Sequence, residues 1–399
     1  MNKMKKVICI LLSLCIIISF AACEKDISDE EVTENSSLSQ IIDDVSEEKK
    51  ALSLNKEFFC DYEWHGDSSV MLVRSEYTDV TLDKSFEKQY PLLAKALSDA
   101  SVMRKRAMED EKDNYIAFAS EAYKNDSEAF STYVSTLDVQ VRRADCVAVS
   151  ILEDYFSDGC RDFNGINYDS ESGNELVLSD VFTDVSKIPA TVEKELMSRI
   201  GENEPFCESA VIEYFKNTSD DSITWVLDYN GVAFYFNPGE IAPSNFGIQT
   251  VTVTFAEYPD LFRQKYTAVP DEYIVSLPVS APFYTDAAGD NEADEIIVSG
   301  DYDDNGFYHI VSVNSETSEY ETEWFSYIEP YYVKTADGNS YICVFSVNNE
   351  EEGKFFKLNV YELQNGRSNL LSTSETELEC KGENVFALPT DPSELVAVR

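Results

Sequence analysis

Histidine is nearly absent from this chain: His65 and His309 are the two in 399 residues, far apart in sequence. That leaves little room for a Ser-His-Asp arrangement and argues against zinc, because the cysteines are not clustered and none is spaced as CxxC. Nor does the sequence contain HExxH, GxSxG or a GxxxxGK phosphate loop. Basic residues are scarce as well. Lys and Arg number 31 against 75 Asp and Glu, a formal charge of −44. Such a chain is repelled by nucleic acid and by anionic lipid and attracts cations and basic proteins. Long apolar runs are missing too: Val7 to Phe20 is too short and wrongly flanked for a membrane span.

What that short run does fit is a leader. Met1 to Lys6 carries three lysines, and the apolar run closes with Phe20-Ala21-Ala22-Cys23. Small residues before a cysteine resemble the lipobox of bacterial lipoproteins, in which the cysteine is lipidated and becomes the first mature residue. That resemblance implies a signal peptide over 1–22, lipidation at Cys23, and a protein tethered to the membrane on its extracellular face. Loss of Lys3, Lys5 and Lys6 with the leader would take the charge from −44 to about −47. Residues 24–50 are acidic, polar and free of aromatics, the composition of a flexible spacer. Six mature cysteines remain, at 60, 146, 160, 207, 343 and 380. They allow fifteen pairings; Cys343 with Cys380 is the preferred one because both lie in the same candidate domain.

About 150 residues per domain suggests two. The first reads as mixed helix and strand without βαβ regularity, an α+β domain with an antiparallel sheet and packed helices. Tyr90-Pro91 opens a helix, and a second, longer one is expected from about Val102 to Asn125, with its run MRKRAMEDEK solvated. Trp225 to Phe236 reads as a half-buried strand, an Asn230-Gly231 turn supplying positive φ, and a second strand. From about Val269 helical periodicity disappears and strands come at short spacing, which indicates an all-β domain over 267–399, a sandwich or part of a propeller-like array.

Several short motifs fall in a shared order: Tyr90-Pro91-Leu92-Leu93-Ala94-Lys95-Ala96-Leu97, Arg143-Ala144-Asp145, Gly173 to Phe182, and Phe234-Tyr235-Phe236 through Glu240-Ile241-Ala242-Pro243 to Gly247. With them residues 55–266 resemble the RsiV-like extracellular domain family, also found in PdaC-type peptidoglycan deacetylases. Gly239 stands where an aromatic is common in that family. The resemblance implies a binding module outside the membrane, with a lysozyme-like protein or peptidoglycan as partner. A basic protein such as lysozyme would be steered by the acidic surface. With a lipobox at the N-terminus, sigma-factor control is not expected, and neither is nucleic-acid binding.

Candidate binding residues are Asn237, Glu240, Ser244, Asn245 and Phe246, in a loop held by a sheet. Asp286, Asp290 and Asp294 take positions one, five and nine of a calcium-loop spacing, resembling the loops of FG-GAP-like β domains. Ala287-Ala288 offers no side-chain oxygen there. Aromatics at Trp324-Phe325, Tyr327 and Tyr331-Tyr332 read first as half-buried strand side chains, with glycan stacking as the alternative. The alternatives to a binding protein are a cell-wall or carbohydrate-active enzyme using paired carboxylates and an interaction scaffold holding calcium. No catalytic residue is singled out.

Overall fold

The computed structural model describes residues 51–66, 69–157, 159–199, 209–219, 222–289, 293–303, 306–318, 327–350, 353–377, 380–382 and 385–388. The leader, Cys23, the acidic spacer, Cys207, Asp290 and Trp324-Phe325 lie outside them. The fold is α+β: a helix-covered sheet leads into a series of antiparallel sheets.

The first sheet has seven strands. Its long members are β1 (Leu54–Trp64), β2 (Met71–Leu82), β3 (Tyr133–Ala144), β4 (Ala148–Ser157) and β5 (Cys160–Asp169). They pair in that order, all antiparallel except β2 with β3, which run parallel from Val73↔Tyr133 to Tyr77↔Leu137. A parallel pair needs a long crossover, and the helix α1 (Pro91–Asn125) provides it. This is one helix of 35 residues rather than two. Pro91 opens it at a first-turn position where its missing N–H costs nothing. No break follows at Ser98–Ser101, because the middle of the helix is tied to β2. The Ser101 hydroxyl donates to Asp79, and Arg104 donates to the same carboxylate at 3.0 Å through Nε and 2.6 Å through Nη2. The run expected to be solvated therefore has a buried face: Arg104 and Met108 point inward.

Along β3 the side chains alternate. Leu137, Val139 and Val141 join a core with Leu93, Leu97 and Met108 of α1. Asp138 and Gln140 lie on the opposite face.

A three-stranded sheet forms the next layer, from β6 (Trp225–Leu227), β7 (Gly231–Phe236) and β8 (Gln249–Thr254). Both of its faces are covered. Trp225, Leu227, Val232, Phe234 and Phe236 pack under the helices α2 (Ile188–Arg199) and α3 (Ala210–Asn217). Val226, Ala233 and Tyr235 pack on Leu152 and Phe163 of β4 and β5. The half-buried reading is thus corrected: the alternation here separates two cores instead of core from water. Asn230 and Gly231 are not at positive φ. Gly231 is needed for clearance, since a Cβ there would sit 2.2 Å from the Val253 carbonyl oxygen. Gly165 has the same role in β5, with the Trp225 carbonyl oxygen 2.1 Å from an added Cβ.

Two of the motifs that carry the resemblance also have packing roles. Gly173, at φ +65°, lies against the start of α1, where a Cβ would be 2.5 Å from the Leu92 carbonyl oxygen. Arg143 donates to Asp145 and to the carbonyls of Tyr266 and Ala268, each at 2.8 Å. Asp145 in turn caps the amides of Val147 and Ala148.

Beyond β9 (Tyr273–Ser276) come β10 (Phe283–Thr285), β11 (Asp294–Asp303), β12 (Gly306–Val313) and β13 (Glu316–Thr317), which make a four-stranded sheet. Then β14 (Tyr327–Lys334), β15 (Ser340–Glu350), β16 (Gly353–Gln364) and β17 (Arg367–Glu377) join β9 in a five-stranded one. Ile296, Val298, Val311 and Val313 face Ile328, Tyr332, Ile342, Val344 and Tyr361 across a shared core, the arrangement of a sandwich. The chain then returns to the first sheet, where β18 (Cys380–Gly382) and β19 (Val385–Leu388) add to β1.

That return overturns the preferred disulfide. Cys343 is a free, buried thiol of β15, registered with Tyr331 and Val360, whereas Cys380 belongs to the seven-stranded sheet. Burial pushes the Cys343 thiol up to about 12. Among the described residues no helix is long and apolar enough to cross a membrane.

Candidate functional site

The loop between β7 and β8 divides into a base and a tip. Asn237 is at the base and half-buried. Its side chain accepts from the Phe163 amide at 2.7 Å and donates to the Phe163 carbonyl at 3.1 Å, so it continues β5 as a neighbouring strand would. Asn167 does the same further along, donating to the Trp225 carbonyl at 3.0 Å and accepting from the Leu227 amide at 2.8 Å. Glu240 closes the base: the Asn237 amide donates to its carboxylate at 2.7 Å. Burial raises the Glu240 carboxyl above its ordinary range, and that hydrogen bond opposes the rise.

The tip is a single 3-10 turn, Ser244–Phe246, ended by Gly247 at φ +68°. All three of its side chains are exposed, and Phe246 is 50% exposed over a domain whose interior is close-packed. Of the five residues expected to bind, Ser244, Asn245 and Phe246 are presented to solvent at the tip, Glu240 is exposed at the base with its carboxylate holding the Asn237 amide, and Asn237 is half-buried.

The acidic turn after β10 is organised differently. Asp294 is buried, accepting from the amides of Ala287 and Ala288 at 3.0 Å each and from Asn314 at 2.6 Å. Asp286 accepts from the Gly289 amide at 2.6 Å. Both carboxylates face N–H donors, which is the environment of an anion cap. No group of three His, Cys, Asp or Glu side chains converges among the described residues. Tyr331 and Tyr332 are 2% and 0% exposed, which removes them as glycan platforms. His65 is exposed beside Tyr123, and His309 is buried with Nε2 2.8 Å from the Tyr361 hydroxyl.

Two buried ionic clusters went unread in the sequence. A register slip between Val141 and Arg143 re-aims Arg142. Its guanidinium grips Asp228 through two hydrogen bonds of 3.0 and 2.8 Å, both side chains being wholly buried. Phe283 of β10 lies 5.1 Å from the guanidinium carbon. Burial raises the Asp228 carboxyl, and the arginine charge opposes it.

In the second cluster Lys56 of β1 sits between Asp138 of β3 at 2.9 Å and Glu329 of β14 at 2.8 Å. Burial alone would lower the lysine, but the two carboxylates outweigh it and hold the ammonium above its ordinary range. Asp138 is lowered: burial pushes it up, and the Lys56 charge more than compensates. One ammonium cannot balance two carboxylates, so burial and Asp138 push Glu329 up to about 7. These clusters fasten sheets to one another: Arg142, Asp228, Lys56 and Glu329 are buried, while the Asp138 side chain is 32% exposed.

Residues 179–256, from the approach to α2 through β8, match the family described as "Protein of unknown function (DUF3298)". A DUF3298 domain therefore occupies the doubly covered three-stranded sheet together with its helices and the exposed turn. None of the curated proteins matches the chain. Among solved structures it is similar to a DUF3298 family member from Bacteroides fragilis, with 14% identity, 54% of this chain and 95% of that chain covered, and a TM-score of 0.40. It is also similar to a DUF3298 family protein from Pseudomonas aeruginosa PAO1, at 12% identity, 55% and 99% coverage, and a TM-score of 0.36.

Proposed function

We propose that this is a lipid-anchored binding or sensing protein of the bacterial cell envelope whose partner is a basic, lysozyme-like protein. The observation that carries the reading is the turn Ser244–Phe246. It puts an aromatic ring in solvent at the tip of a loop whose base is clamped by Asn237 and Glu240. A ring held out on a rigid support loses little conformational freedom when it is buried by a partner. The resemblance to RsiV-like domains, the charge of −44 and the lipobox ending at Cys23 support the same reading.

Calorimetric titration of the protein with a basic lysozyme, at low and at moderate salt, tests it. Saturable one-to-one binding that persists at moderate salt is expected. Phe246→Ala should weaken it by about 2 kcal/mol, roughly thirtyfold, as for a central aromatic anchor. Weak, non-saturating heat that disappears with salt would mean charge attraction alone and would sink the reading. The anchor is checked separately: Cys23→Ala should move the protein from the membrane fraction to the soluble one.

A further inference from the structure

A cleft of about 530 Å³ lies between α1 and the strands β4 and β5, a volume in the range of ligand sites. Its walls are apolar, built from Met103, Met108, Leu137 and Ile166, with Tyr155 among them. Its charges are unbalanced. Among the described residues lining it Arg104 is the one basic residue, and its guanidinium is committed to Asp79 and Glu153. Glu111 and Asp162 complete the acidic side. Asp162 immediately precedes Phe163, whose backbone Asn237 clamps, so the cleft opens next to the base of the candidate loop.

The geometry points to this cleft as a second contact site, one that takes a Lys or Arg side chain and its apolar neighbour from a basic partner protein. The stem would lie against Met103 and Met108, and the charged head would meet Glu111 and Asp162. Charge complementarity selects that occupant. A second copy of this chain brings −44 of its own, and the chain's 24–50 segment is acidic as well. In naming the partner as a basic protein, the inference rests on the proposed function, and the site itself can be tested without it.

The direct test uses methyl-labelled methionine and two small probes, N-acetyl-Leu-Arg-amide and N-acetyl-Leu-Glu-amide. The expected result is saturable shifting of the Met103 and Met108 methyl signals by the arginine probe and none by the glutamate probe. Asp162→Lys and Met103→Ala, both at exposed positions, should each weaken the binding read at the Met108 methyl signal by about threefold or more. Equal responses to the two probes, or no response, would overturn the site. Lysozyme calorimetry on the same variants separates the two ideas. Weakening by Phe246→Ala but not by Asp162→Lys or Met103→Ala leaves the proposed function standing and removes the cleft. A methyl response without lysozyme binding keeps the cleft and removes that partner.

Discussion

Replacing Asp228 with alanine is expected to lower the free energy of unfolding by about 3–5 kcal/mol, the cost of stranding a buried charge. Arg142 would keep its position, with its guanidinium wholly enclosed and its carboxylate gone. Its Nη1 already has no hydrogen-bond partner among the described residues, so the site has no spare acceptor to offer. Contact with Phe283 replaces only part of the loss. A paired replacement, Arg142→Met with Asp228→Leu, should recover much of the stability, because removing both charges removes the desolvation penalty with them. Urea denaturation of the two variants decides the matter. If Asp228→Ala cost less than about 1 kcal/mol, the pair would not be what fastens β3 to the three-stranded sheet.

The second large effect is a pH dependence with an unusual sign. Most buried carboxylates are held low by a partner and gain stability as pH rises. Glu329 is raised from 4.5 to about 7. Between those values the folded protein holds a proton there that the unfolded chain has released. Stability from this group is therefore fully present below about 4.5 and is lost as pH climbs through 7. By the usual conversion the change is about 3 kcal/mol. Glu329→Gln keeps an oxygen that can accept from Lys56 while removing the titration. Across pH 5 to 8, urea midpoints of the wild type should fall more steeply than those of the variant, and the variant should be the more stable one at pH 8. Parallel curves would show that Glu329 titrates normally and that Lys56 satisfies both carboxylates. The variant also probes the junction between sheets, since Glu329 belongs to the five-stranded sheet and Lys56 and Asp138 to the seven-stranded one.

Neither cluster announces itself in the sequence, although each leaves a trace. Lys56 occupies an inward position in the alternating run Leu54, Lys56, Phe58, Cys60, and Asp228 follows directly on three buried residues. A charge at an inward register position signals a buried partner. It does not say which one, because Glu329 lies 273 residues from Lys56 and Asp228 lies 86 from Arg142. Arg104 shows the same limit: its charged run reads as solvated until Asp79 and Glu153 meet it.

Local pattern was enough wherever the physics is local. Period-two alternation marked the strands at Trp225 and Val251, an apolar run marked the one between them, and Pro91 marked the start of α1. The loss of helical periodicity after residue 269 marked the antiparallel sheets. An α+β fold and a strongly acidic charge follow from composition and spacing alone. Tertiary structure decided what those patterns face. It gave the three-stranded sheet two cores, turned Gly231 from a glycine expected for φ into one for clearance, joined two expected helices into one, and carried Cys380 away from Cys343. It also sorted the loop residues into clamp and tip. Burial and pairing are properties of distant segments brought together, and one stretch of chain does not encode the position of another.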